Sequence, residues 1–166
     1  MKQIRIYTDG ACSGNNNKNH DSSGGIGAVM SWNEHEKEVS FGFNSTTNNQ
    51  MELLAPIVAL TNLKERCDVL IFSDSAYVVN GFEKKWIVGW KKNGWKNASG
   101  KDVKNQTLWK ALDRLVRKHN VKFKHVKAHS GIRLNERADV LAVRGSKVPK
   151  KYDVDKFLKE LMVKVK

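Results

Sequence analysis

Three carboxylates stand where a single site can be built from them. Asp9 closes a segment, residues 2 to 9, in which Ile4, Ile6 and Thr8 alternate with Arg5, Tyr7 and Asp9, the period of a strand. Asp74 follows Ser73 and the apolar run Val69 to Phe72, the pattern of a central strand covered on both faces. Glu52 lies early in an apolar stretch, Met51 to Leu63, that reads as a buried helix. Two strands joined through a helix become parallel neighbours under the right-handed crossover rule. Asp9 and Asp74 then emerge side by side at the carboxyl rim of the sheet, where ligands gather, and Glu52 projects over them. Acids packed so closely repel one another, so they hold protons or recruit cations. Hard oxygen ligands without a His/Cys cluster select magnesium, with manganese as a substitute. Two such ions about 3.5 to 4 Å apart activate water and stabilise the leaving oxygen in phosphodiester hydrolysis. Taken singly, each acid has a plainer reading: Asp9 as a turn residue before Gly10, Glu52 as a surface helix acid, Asp74 as a helix cap.

The elements that must position these acids are legible in outline. After an Asn- and Ser-rich loop (Gly14 to Ser23), Gly25 to Trp32 and Lys37 to Phe43 read as an antiparallel hairpin. Thr47 with Gln50 three residues on is a capping-box signature for the helix bearing Glu52, and Pro56 inside it predicts a kink. Ser75 to Asn80 predicts a short helix stopped by Gly81, and Lys84 to Lys104 is a Trp/Lys-rich excursion with turns at Asn93-Gly94 and Ser99-Gly100. Asn105 caps an amphipathic helix carrying Leu108, Leu112, Leu115 and Val116, and Val121 to Lys127 alternates as an edge strand does. A loop with His129 and Gly131 leads to a last core helix, Asn135 to Val143. In the tail, Val154, Phe157, Leu158, Leu161 and Val165 fall at helical spacing, as a docking helix would place them. The order predicts an α/β layered sheet with helices on its faces.

Composition narrows the partner. The 166 residues hold 30 Lys plus Arg against 17 Asp plus Glu, a formal charge of +13, which favours a polyanion such as nucleic acid. Cys12 and Cys67 form no CxxC pair, so neither a disulfide framework nor a zinc site is expected, and a reducing cytoplasm fits. No apolar run approaches the roughly 20 residues of a membrane span, so no membrane partner is expected.

Five segments together resemble type 1 ribonuclease H of the bacterial type across roughly residues 1 to 145: YTDGACSGN at 7 to 15, TTNNQMELLA at 46 to 55, FSDSAYV at 72 to 78, WIVGWKKNGWK at 86 to 96 and KAHSGIRLNERADVLA at 127 to 142. The resemblance implies a ribonuclease H-like fold with a mixed five-stranded sheet, residues 1 to 145 forming the catalytic domain and 146 to 166 a basic tail. It implies a monomeric, metal-dependent endonuclease that cuts the RNA strand of RNA/DNA hybrids, leaving 5'-phosphate and 3'-hydroxyl ends, without an obligate protein partner. Asp9, Glu52, Asp74 and Asp139 match the family's four metal-binding carboxylates: Asp9 bridges both ions, Asp139 serves the nucleophile side, and Glu52 with Asp74 the leaving-group side. His129 matches the family's mobile-loop histidine, suited to proton transfer or product release.

The same resemblance places Cys12, Asn15, Asn48, Gln50 and Glu52 against the RNA strand, where 2'-hydroxyls distinguish RNA from DNA. Asn49 and Trp86 match contacts to the DNA strand, with Thr47 and Asn105 on one of its phosphates. Lys91, Lys92 and Lys96, near Trp90 and Trp95, would form a basic protrusion. Three departures from the family pattern stand out: a longer loop at 15 to 23, Ala76 where Gln is usual, and Ala128 in place of the Gly before the histidine. Ala128 should stiffen that loop. A catalytically silent duplex-binding module would not need all four acids, and a DNA nuclease of the same superfold would not need the TTNNQME stretch.

Overall fold

A computed structural model describes residues 1–13 and 22–165; Asn15 and most of the loop before Gly24 fall outside that description. The chain runs β1 (Gln3–Cys12), β2 (Gly24–Trp32), β3 (His35–Asn44), α1 (Asn48–Thr61), β4 (Asp68–Ser73), α2 (Ala76–Glu83), α3 (Trp86–Lys92), α4 (Gln106–Val116), β5 (Asn120–His125), α5 (Arg133–Ser146), β6 (Tyr152–Asp153) and α6 (Val154–Val163). One mixed sheet has the order β5-β4-β1-β2-β3-β6, with helices on its faces, a ribonuclease H-like α/β architecture. The expected five strands become six because the tail adds β6, pairing Tyr152 and Asp153 in parallel with Phe43 and Asn44.

The sheet is buried from both sides, and the alternation in β1 divides accordingly. Ile4 and Ile6 enter the larger core with α1, α4 and α6. Tyr7 faces the other way, stacked on Phe72 at 4.5 Å and packed with Leu134, Ala138 and Leu141 of α5. The parallel register of β1 with β4 sets Thr8 against Ser73, so Asp9 and Asp74 leave the sheet side by side as the crossover argument requires.

Four local readings change. Thr47 caps α1 by accepting from the Gln50 amide at 3.2 Å, while the Gln50 side chain turns to Thr46 at 2.9 Å instead of completing a reciprocal box. Helix α2 runs past Gly81 to Glu83, because a glycine is what fits against the Trp109 ring: a Cβ there would lie 2.3 Å from it. Asn105 precedes α4 in the left-handed region without a side-chain cap, its amide donating to the Tyr77 hydroxyl at 3.2 Å. Helix α5 begins at Arg133 and ends at Ser146, longer at both ends than the apolar spacing indicated.

The seat of α5 rests on small residues. A Cβ on Gly27 would lie 2.2 Å from the Ala138 carbonyl oxygen, backbone that cannot step aside. Gly27→Ala is therefore expected to cost about 1–3 kcal/mol by overpacking and to shift α5 away from β2. A thermal melt should show a midpoint lower by several degrees.

Candidate active site

Each acid is delivered by a different element. Asp9 is on β1, and Asp74 follows β4, in the loop that Ser75 turns into α2 by accepting from the Val78 amide at 3.2 Å. Glu52 is in the second turn of α1, which approaches β1 so closely that a Cβ on Gly10 would lie 2.6 Å from the Glu52 amide nitrogen. Only a glycine after Asp9 leaves room for this contact, and it brings the two carboxyl groups together. Oxygens of Asp9, Glu52 and Asp74 all lie within 4.8 Å of one another. Asp139, from α5, lines the same small pocket together with Thr8, Asp74, Val126, Lys127, His129, Asn135 and Glu136.

Burial and mutual repulsion control the protons here. Glu52 is 5% exposed and Asp9 8%. Burial, then the charge of Asp74 and the carboxyl of Asp139, pushes the Asp9 pKa up to about 8, against a smaller opposing contribution from Glu52. Burial raises Glu52 well above the usual carboxylate range too, with the charges of Asp9 and Asp74 adding to it. One oxygen of Glu52, Oε1, is buried with no hydrogen-bond partner. An orphaned carboxylate oxygen beside two more acids is unfavourable unless the group holds a proton or a cation sits among them, and the all-oxygen donor set fits a hard divalent ion.

The family model of RNase H matches residues 1–147. The chain belongs to that family. Ribonuclease HI of Haemophilus influenzae is 51% identical over 148 residues, covering 89% of this chain and 92% of that protein. Ribonuclease H of Acetivibrio thermocellus is 52% identical over 142 residues, covering 86% of this chain and 93% of that one. Among solved structures, LC9-RNase H1, a type 1 RNase H with the type 2 active-site motif, superposes with a TM-score of 0.80 at 27% identity, over 99% of this chain and 82% of that chain. This is a bacterial type 1 ribonuclease H by kinship, and ribonuclease H enzymes are metal-dependent nucleases that cut the RNA strand of RNA/DNA hybrids.

The other residues singled out in the sequence fall into groups. His129 is exposed, in the wall of the carboxylate pocket, on a left-handed backbone with φ 55°. Thr47, Asn48, Asn49 and Gln50 form the start of α1, with the Asn48 and Asn49 amides exposed and Thr47 engaged as the cap. The Cys12 thiol is half-buried and donates to the Thr46 carbonyl at 3.6 Å. Trp86 and Asn105 meet at a different place, around Tyr77 on α2: the Trp86 ring centroid is 6.3 Å from that of Tyr77, whose hydroxyl also accepts from Trp109 at 2.9 Å. Trp90 and Trp95 continue this aromatic cluster, with Trp95 under the Lys110 ammonium. Ala76 opens α2 with its methyl exposed. A larger groove, about 1000 Å³, lies elsewhere between β3, the end of α1, α4 and α6, and none of the four acids lines it.

The Trp/Lys-rich segment expected to form a basic protrusion is more neutralised than its sequence suggests. Lys91 pairs with Asp113 at 2.7 Å, and Lys96 pairs with Asp102. Lys92 has no such partner among the described residues. Lys91→Ala is expected to lower stability by about 1 kcal/mol, since Arg117 still holds Asp113. Lys92→Ala should instead leave the melting temperature alone and cut the salt slope of hybrid binding by roughly 0.9, one phosphate contact. Thermal melts and salt titrations of the two variants check the division.

Sequence reasoning passed over Asn135. Its Nδ2 is buried in the pocket wall without an acceptor, one helical turn before Asp139. The signal was available in the i, i+4 spacing of the two residues, once Asp139 was placed.

Proposed function

We propose that this chain hydrolyses the RNA strand of RNA/DNA hybrids with two magnesium ions, manganese substituting, and leaves 5'-phosphate and 3'-hydroxyl ends. The observation that carries the reading is the meeting of Asp9, Glu52 and Asp74 oxygens within 4.8 Å, with Glu52 Oε1 buried and unpartnered. Bound there, the ions would lower the pKa of a water and offset the charge developing on the phosphate and on the departing O3'. Asp9 would serve both ions, Asp139 the one beside the attacking water, and Glu52 with Asp74 the one beside the leaving oxygen.

The residues around them have their own tasks. His129, exposed at the pocket wall, takes a proton from the attacking water or hands one to the product as it leaves. Asn48, Gln50 and Cys12 lie at the start of α1 and the end of β1, beside the acids, and are read as the RNA-side contacts with Asn15 and Glu52. Asn49, Thr47, Trp86 and Asn105 are read as the DNA side, with Lys91, Lys92, Trp95 and Lys96 beyond them. Residues 1 to 145 are the catalytic unit in this reading and 146 to 166 an appended segment. It acts as a monomer in the cytoplasm, and the free thiols of Cys12 and Cys67 are consistent with a reducing compartment. No helix among the described residues is long and apolar enough to cross a membrane.

Labelled RNA/DNA hybrid, RNA duplex and DNA duplex, each incubated with magnesium and with chelator, test this. Cleavage of the hybrid's RNA strand alone, only with the metal, is the expected result. Cutting of DNA duplex, or cutting in chelator, would refute it.

A further inference from the structure

The tail leaves the end of α5, the helix that carries Asp139, with Lys147 and Lys150 on the stretch between α5 and β6. Helix α5 runs from Asp139 in the pocket wall toward the rim of β2 and β3, where Gly145 meets the Phe41 carbonyl and Val148 packs on Gly42. The chain then crosses Pro149 to β6, which pairs with Phe43 and Asn44. In sheet register this is the level of Cys12, since Cys12 faces Gly24 and Gly24 faces Phe43. The segment is held firmly. Val154 and Leu158 are buried, Phe157 sits edge-on to Phe43 at 5.0 Å, and Lys151 donates to the Val148 carbonyl at 2.9 Å.

Charge separates the two ends of α5. Arg133 and Arg137, in the first turns of α5, are paired with Glu36 and Glu38 of β3. Past the pocket, Lys147 and Lys150 are exposed, and neither has a carboxylate partner among the described residues. Lys150 lies over the Tyr152 ring at 5.3 Å, which orients its ammonium without neutralising it. Eight residues of helix separate Asp139 from Lys147, about 12 Å at roughly 1.5 Å per residue. A strand of duplex advances about 3.4 Å per nucleotide, so this distance spans three or four phosphates.

We propose that Lys147 and Lys150 form an additional phosphate-binding site for the backbone of the hybrid, a few nucleotides from the cut, on a segment at and beyond the end of the family match at residue 147. This rests on the reading of the chain as a hybrid nuclease. The competing role for these lysines is local, as cations stabilising the carboxyl end of α5.

The test compares wild type with Lys147→Gln/Lys150→Gln, and with Lys147→Arg/Lys150→Arg as the charge-keeping control. Affinity for a long hybrid is measured in chelator between 50 and 200 mM salt, and kcat and KM are measured with magnesium. Loss of two contacts should lower the salt slope by about 1.8, so the affinity lost across that range shrinks roughly tenfold. KM should rise, kcat and melting temperature should hold, and the Arg pair should behave as wild type. An unchanged slope and KM, in a preparation whose wild type cleaves hybrids, overturns the proposal and leaves the function standing. A lower melting temperature with an unchanged slope also overturns it, assigning the lysines to the helix end. If wild type neither binds nor cuts hybrids, the functional reading itself has failed, and this inference falls with it.

Discussion

Asp9→Asn should reduce hybrid cleavage by at least about a thousandfold, roughly 4 kcal/mol in the barrier, while hybrid affinity in chelator stays near that of wild type. Asp9 is the acid on whose proton affinity the other three, Asp74, Asp139 and Glu52, all act. The amide is isosteric and cannot serve as an anionic ligand, so the variant keeps the shape of the pocket and loses its ability to share charge between two ions. Single-turnover rates with magnesium, and filter binding without it, give the two readouts. Turnover within tenfold of wild type would remove Asp9 from the bridging role.

The second large effect is on stability and has the opposite sign. Asp9 carries a pKa of about 8 in the fold against an ordinary value of 3.8. Its folded form therefore binds a proton more tightly than the unfolded chain does. The associated stabilisation is complete below about pH 4 and is lost as pH rises through 8. Glu52 is shifted in the same direction and adds to the loss. In chelator, wild type should thus become less stable between pH 5 and 8, by a few kcal/mol in order of magnitude. Asp9→Asn has no charge to confine there, so its melting temperature should depend less on pH and exceed that of wild type at pH 8 by several degrees. Magnesium should raise the wild-type midpoint at pH 8 far more than that of the variant. A flat pH profile for metal-free wild type would mean that these acids do not confront one another.

How much of this could be read from the residues depends on how local the determining physics is. The placing of Asp9 beside Asp74 followed from two strand patterns and one intervening helix, and the register of Thr8 with Ser73 agrees. The capping role of Thr47 was equally local. Asp139 is different. Its place depends on α5 lying close on β2, which rests on Gly25 and Gly27 meeting the backbone of residues more than a hundred positions away. Spacing alone does not reveal such a contact, and only family resemblance named that residue. The same limit applies to Gly81, which resembles a helix stop until Trp109 is seen against it, and to Lys91 and Lys96, whose charges looked available until Asp113 and Asp102 were found beside them. Asn105 looked like a cap, but the Tyr77 hydroxyl takes its amide.

The sheet's open margins carry a consequence of their own. Strand β5 is the outermost on one side, and Lys122 and Lys124 alternate with apolar residues along it. On the other side β6 covers only the last two residues of β3, leaving a stretch that includes Glu36, Lys37 and Glu38. A bare strand margin invites another polypeptide to add itself by backbone pairing, the first step toward fibrils. Two copies of β5 brought together would confront lysine with lysine. These lysines therefore guard the molecule against its own copies in a crowded cell, a service independent of any substrate.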